Sequence, residues 1–181
     1  PDGNKYHAQL TAIIKLRSVL NPEIKLYVKE HPSQFMLEKG HLGRSPIFYN
    51  NLKNINGVYI VDTKVNTIKL IKNSLFVSTI TGSLALEAAI LGKKSVIFAE
   101  TWYSGCPNVF NFLNFDKVID SEVKSSEEIL SFLINKKNNN TIVSCQNGSS
   151  QRRFDFLIDK DFENQQFEQT YNLTKSLFNS I

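Results

Sequence analysis

The sequence predicts an α/β fold, a parallel sheet with helices on both faces. Three observations predict it. Short runs of Val, Ile and Leu alternate along the chain with segments of helical periodicity. Turn-forming Pro and Gly separate the segments, as at Asn21-Pro22, Asn56-Gly57 and Gly92. The 181 residues, 41% hydrophobic and 21% charged, suit one domain with its own core.

In chain order, Leu10, Ile13, Ile14, Leu16 and Leu20 recur at helical spacing, so a helix is expected over 6–20, stopped by Asn21-Pro22. Ile, Leu and Val alternate over 24–28, a short strand that runs into Lys29-Glu30-His31-Pro32. A helical turn over 34–40 and an exposed loop over 40–46 follow. A short helix is expected over 47–52, a turn over 54–57 and a strand over 58–61. Ile68 and Ile71 with polar intervals give a helix over 65–72. A strand over 75–78, a loop over 79–83 and a helix over 84–91 come next, with Gly92 as its terminator. A buried strand is expected over 95–98 and a fifth strand over 117–119. Ile129, Leu130 and Leu133 mark a helix over 127–134. Residues 136–150, rich in Asn, Ser and Lys, read as a flexible loop, and 162–178 as a closing helix.

The net charge of +4 and pI near 9.0 come from interspersed Lys, Asp and Glu. With no long basic run, this is a solvated surface, and no nucleic-acid partner is expected. Cys106 and Cys145 have neither CxxC spacing nor a nearby His cluster, so no zinc site is expected. A disulfide stays open beside the plainer reading of two free thiols. The three Asn-X-Ser/Thr sequons, at Asn139, Asn147 and Asn172, carry no weight without a secretory context. No apolar run reaches membrane-spanning length. The chain opens on Pro1-Asp2-Gly3, so a fragment of a longer, two-domain protein is expected, with residues 1–181 forming a single domain of it.

Two segments carry candidate chemistry. In Thr79-Ile80-Thr81-Gly82-Ser83, followed by Leu84-Ala85-Leu86-Glu87, a loop leads into a helix start. Unpaired N–H groups there favour an anion. Gly82 permits close backbone approach, Thr81 and Ser83 add hydroxyls, and Glu87 lies one turn in on the Ser83 face, placed for a ribose diol. The competing explanation is structural: Ser83 as a plain N-cap and Glu87 as a dipole complement. No Walker A or GxGxxG pattern is present. The second segment is Lys29-Glu30-His31-Pro32, where His31 and Lys29 are able to donate to a phosphate, or are simply polar residues at a strand end. Trp102 and Tyr103 either stack on a base or pack their loop. Right-handed crossovers put all strand carboxyl ends on one edge of a single sheet, so both segments are expected to face the same crevice, where such folds bind ligands.

VKEHP after one strand, VDT before a helix, and VSTITGSLALEAAILGKKSVIF together resemble the C-terminal half of GT-B glycosyltransferases. The likeness is to bacterial capsule and surface-polysaccharide biosynthesis proteins, including Kdo-transferring enzymes. More distantly it extends to CDP-glycerol transferases and non-hydrolysing UDP-GlcNAc 2-epimerases. It covers residues 1–112. The resemblance implies a Rossmann-like, nucleotide-sugar-binding half, with His31, Thr81 and Ser83 at the donor phosphate, Glu87 at the ribose and Lys29 as a weaker transfer. It implies a donor, CMP-linked by preference, with no metal and no separate cofactor. The general base and the glycan acceptor site belong to the other half, so the catalytic residues are unknown and this half alone is inactive. The implied location is the cytoplasm, at the inner face of the membrane through peripheral association of the full-length protein. Two alternatives stand beside it: a non-catalytic GT-B-like binding or assembly domain, and a sugar-nucleotide 2-epimerase.

Overall fold

The computed structural model describes residues 6, 8–31, 33–36 and 44–138. The expected closing helix over 162–178, the tract from 139 to 150, Pro32, His7, His41, Cys145 and all three sequons lie outside the described residues. The chain divides into two compact units, with the boundary between Leu70 and Ile71. All strand pairs are parallel, but they form two small sheets rather than the one expected.

In the amino-terminal unit, α1 (Gln9–Val19) buries Ala12 and Leu16. Its end is closed by Arg17, whose guanidinium donates to the carbonyls of Leu20 (3.0 Å), Asn21 (2.6 Å) and Ile24. A cation at a helix C-terminus both fills orphan carbonyls and complements the dipole. The Asn21 side chain takes the Glu23 N–H at 2.9 Å and holds a turn. That turn delays β1 to Leu26–Lys29, two residues later than expected. β1 pairs in register with β2 (Val58–Val61), Leu26 opposite Val58. Gly57, at φ +77°, makes the turn into β2, and its carbonyl accepts the Leu26 N–H at 2.8 Å.

Side chains alternate across this sheet. Leu26 and Val28 pack with Val58 against Phe48 and Leu52 of α3 (Pro46–Lys53). Tyr27 and Tyr59 pair on the opposite face, 5.6 Å apart and exposed. α3 begins at Pro46 because Ser45 caps it, accepting the Phe48 N–H at 3.3 Å, and Pro suits the first helical position. A short helix, α2 (Ser33–Met36), follows His31. α4 (Thr67–Lys72) starts two residues later than expected because Asn66 caps it, accepting the Lys69 N–H at 2.9 Å.

In the carboxy-terminal unit, β3 (Phe76–Thr79), β4 (Lys94–Ile97) and β5 (Val109–Asn111) lie side by side in chain order. α5 (Leu84–Ile90) connects β3 to β4 and buries Ala85, Leu86, Ala88, Ala89 and Ile90. Three alanines let the helix sit close to the sheet. α7 (Ser126–Asn138) adds Ile129 and Leu133 to the same core, with Ile97, Tyr103, Cys106 and Val109. A capping box starts α7: the Ser125 hydroxyl accepts the Glu128 N–H, and the Glu128 carboxylate accepts the Ser125 N–H. The helix runs to Asn138, so the first residues of the expected loop over 136–150 are helical.

The expected strand over 117–119 is a correction. Those residues lie in α6 (Asp116–Asp120), which packs on β4 and buries Val118 while leaving Ile119 exposed. Lys94 Nζ holds its end, donating to the carbonyls of Ile119 (2.9 Å) and Ser121 (3.0 Å). An apolar run of three residues carries no period that separates strand from helix. The real fifth strand, β5, begins after Asn108, a buried residue at φ +67°. The Asn108 carbonyl accepts the Ser95 N–H at 2.8 Å. Its side-chain amide donates to the carbonyls of Lys124 (2.9 Å) and Ala89 (3.4 Å), and its side-chain oxygen accepts the Lys124 N–H at 2.7 Å.

Asn108→Ala therefore removes three bonds from a buried site and strains a left-handed residue. We expect a loss of about 2–4 kcal/mol, since an orphaned buried group costs about 1–3 kcal/mol and the backbone adds about 1 kcal/mol. Asn108→Gly, which tolerates the backbone, loses less. Urea denaturation followed by circular dichroism measures both, and an Ala variant within about 0.5 kcal/mol of wild type contradicts the assignment.

Candidate functional site

The carboxyl edge of the three-stranded sheet is built from the segments that follow Thr79, Ile97 and Asn111. The first two are tied together. The Ile80 carbonyl accepts the N–H groups of Phe98 and Ala99, each at 3.2 Å. The Tyr103 hydroxyl donates to the Gly82 carbonyl at 2.6 Å. Within the first loop, Thr79 Oγ1 accepts the Gly82 N–H at 3.2 Å. Gly82 is needed there for space: a Cβ would sit 2.8 Å from that oxygen.

Ser83 is not an N-cap in the sense expected. It has helical angles, φ −56° and ψ −17°, and its side chain makes no capping bond. Instead its hydroxyl donates to Glu87 Oε1 at 2.9 Å. The expected adjacency of Ser83 and Glu87 is thus present as a direct contact, at an exposed Ser83 and a half-buried Glu87. The N–H groups of Ser83 and Leu84 form no hydrogen bond among the described residues. Thr81 lies half-buried in the loop. The Gly82 N–H is already used by Thr79.

Of the aromatic pair, Tyr103 packs inward, 1% exposed. Burial pushes its phenol up to about 12; Thr101 offsets part of this and the Glu87 carboxylate adds to it. Trp102 is half-buried and edge-on to Tyr103, with ring centres 5.4 Å apart. Beyond β4, Glu100 is exposed and accepts from Asn111 Nδ2 at 3.0 Å. Cys106 is buried, and burial pushes its thiol up to about 12, which leaves it protonated and unreactive at neutral pH.

In the amino-terminal unit, Lys29 closes β1, half-buried, and His31 follows it, exposed. The His31 carbonyl accepts the Gln34 N–H at 2.9 Å. Between them, Glu30 is buried and makes a two-point pair with Arg44: Nε to Oε1 at 2.5 Å and Nη2 to Oε2 at 3.2 Å. Arg44 also donates to Gln9 Oε1 and lies over the Phe48 ring, 4.6 Å from its centre. Among the described residues the buried Tyr49 hydroxyl has no hydrogen-bond partner, and burial with the nearby Glu30 raises its pKa. The two sequence segments therefore belong to different units.

Sequence reasoning passed over Thr79, Glu100, Asn111 and Glu30. Only Thr79 had a local signal, its spacing of three to Gly82, which suits a side-chain-to-backbone turn. The partners of Glu30 and Glu100 come from other elements, and no local pattern announces them. Among the described residues, no group of three His, Cys, Asp or Glu is placed to hold a metal ion. No helix among them is long and apolar enough to cross a membrane.

Two measurements check this geometry. Arg44→Ala strands a mostly buried carboxylate and is expected to cost about 2–4 kcal/mol, while Glu30→Leu/Arg44→Met recovers most of it; a single variant as stable as wild type would show the pair to be idle. For Tyr103, a raised folded pKa means that its stabilising contribution is whole below about pH 10 and lost as pH rises towards about 12. Absorbance titration at alkaline pH should show one of the six tyrosines ionising near 12, and Tyr103→Phe should remove that step. No protein-family model, curated protein or solved structure matches this chain.

Proposed function

We propose that this chain is the nucleotide-sugar donor-binding half of a glycosyltransferase of bacterial capsule or surface-polysaccharide synthesis, a Rossmann-like half of a GT-B pair. The observation that carries the reading is the Ser83–Glu87 contact at the carboxyl edge of a parallel sheet. A serine that only capped the helix would bond a backbone N–H, whereas this one orients a carboxylate. The N–H groups of Ser83 and Leu84 beside it suit a phosphate oxygen. Glu87, held by Ser83, suits the two hydroxyls of a ribose. The resemblance of residues 1–112 to that family supports the same assignment from the sequence.

In this reading, the half grips the donor, and the backbone donors stabilise charge on the leaving phosphate as the sugar departs. The glycan acceptor and the general base belong to the other half of the full-length enzyme, at the inner face of the membrane. Lys29 and His31, assigned to the phosphate by resemblance, are tested separately.

Titrating the full chain with CMP and with UDP, by calorimetry and by amide NMR, tests the proposal. Binding should move the amides of residues 79–87. Glu87→Ala should weaken it by about tenfold to a hundredfold, the equivalent of one charged hydrogen bond of about 1.5–3 kcal/mol. If neither nucleotide perturbs residues 79–87, the reading fails. His31→Ala that binds like wild type would remove His31 from it.

A further inference from the structure

The amino-terminal unit contains a buried donor that the fold does not use. Among the described residues the Tyr49 hydroxyl has no hydrogen-bond partner, although its oxygen is closed off from solvent. An orphaned buried donor is destabilising, so its surroundings should explain why it stands there. They hold one strong acceptor, Glu30, which is 8% exposed. Burial, and after it the Glu30 carboxylate, raises the Tyr49 pKa, so the carboxylate lies within electrostatic reach of the phenol. The ring contacts agree. Arg44 lies over the Phe48 ring, and that ring meets the Tyr49 ring edge-on, with centres 5.2 Å apart. Arg44 Nε and Nη2 take one Glu30 oxygen each. Tyr49 is thus a donor beside a carboxylate that a different donor occupies.

Two arrangements of these groups are close in energy. In the one observed, two charges are withdrawn from water and the phenol is orphaned. In the other, Arg44 returns to water, where its guanidinium stays charged and hydrated, and Tyr49 donates to Glu30 in a charge-assisted bond. Attraction within a buried pair is largely offset by the desolvation of its members. What makes the loss of one partner destabilising is the stranded charge, and a phenol within reach relieves it. Arg44 also has a way out, since its third contact is with Gln9, an exposed residue of α1.

We propose that Glu30 has two alternative partners and that Arg44 is a releasable latch: on Glu30 it holds the segment before α3 to α1 and to the end of β1, and when it leaves, the Tyr49 hydroxyl takes its place. Release adds a free guanidinium at the carboxyl end of β1, one residue from His31. The device stands independently of the nucleotide-sugar reading.

A double-mutant cycle on the full chain, read by urea denaturation, tests it. Tyr49→Phe removes an orphan, so it should leave the unfolding equilibrium constant within about twofold of wild type, or lower it. Arg44→Ala should raise that constant about tenfold more in the Tyr49→Phe background than in wild type, the effect of the hydrogen bond that Tyr49 supplies once Arg44 is gone. Relaxation dispersion at the Arg44 Nε–H should show exchange in wild type and lose it in Tyr49→Phe. That measurement decides if the double variant does not fold, as judged by circular dichroism. Four results overturn the proposal: additive effects of the two substitutions, destabilisation by Tyr49→Phe alone, no exchange at Arg44 in wild type, or exchange unchanged by Tyr49→Phe.

Discussion

The carboxy-terminal unit depends on the buried side chain of Asn108. Its strands are only three or four residues long, so backbone pairing alone does little to hold them. Asn108 supplies the missing constraint from the far end. Its carbonyl meets the Ser95 N–H at the start of β4. Its side chain meets the end of α5 at Ala89 and the segment before α7 at Lys124. A buried amide that satisfies every partner is orienting as well as stabilising, because every alternative leaves polar groups unpaired. Asn111 stands three residues on, so the position of β5's carboxyl end, and of the Glu100 contact, follows from Asn108.

The same device recurs at the opposite edge. The Tyr103 ring belongs to the core, while its hydroxyl reaches the Gly82 carbonyl. The aromatic body supplies burial and the polar tip fixes a loop. With Thr79 holding the Gly82 N–H, the loop before α5 is bound through both its carbonyl and its amide. This leaves Ser83 and Glu87 as the polar pair presented outward. In the amino-terminal unit, Glu30 and Arg44 anchor the end of β1 by a two-point pair flanked by Phe48. There the desolvation of two charges is offset by geometry and by the additional Gln9 contact.

The α/β character, the parallel pairing and most helices were legible from period and punctuation. Val58–Val61 and Leu84–Ile90 stand where alternation and helical spacing put them, and Gly57 and Gly92 adopt the positive φ expected of turn and terminator. Boundaries moved where a side chain competed for the backbone, as Asn21 does before β1 and Asn66 before α4. The exchange of a strand over 117–119 for α6 has another cause. Val118 is apolar in either conformation, and only packing on β4, with Lys94 on the last carbonyls, selects the helix.

By itself, then, the sequence determined most of the helices and strands, and that Ser83 and Glu87 share a face. These are local properties, set by spacing within a turn or two of chain. The tertiary structure decided that Ser83 serves Glu87 rather than capping a helix, that Tyr103 faces inward, and that Glu30 and Glu100 are held by Arg44 and Asn111. Each of those outcomes is a bond between groups eleven to twenty-one residues apart, or a choice between two bonds that are both locally available. A carboxylate's partner across such distances is set by the sheet register and the packing that bring the two together.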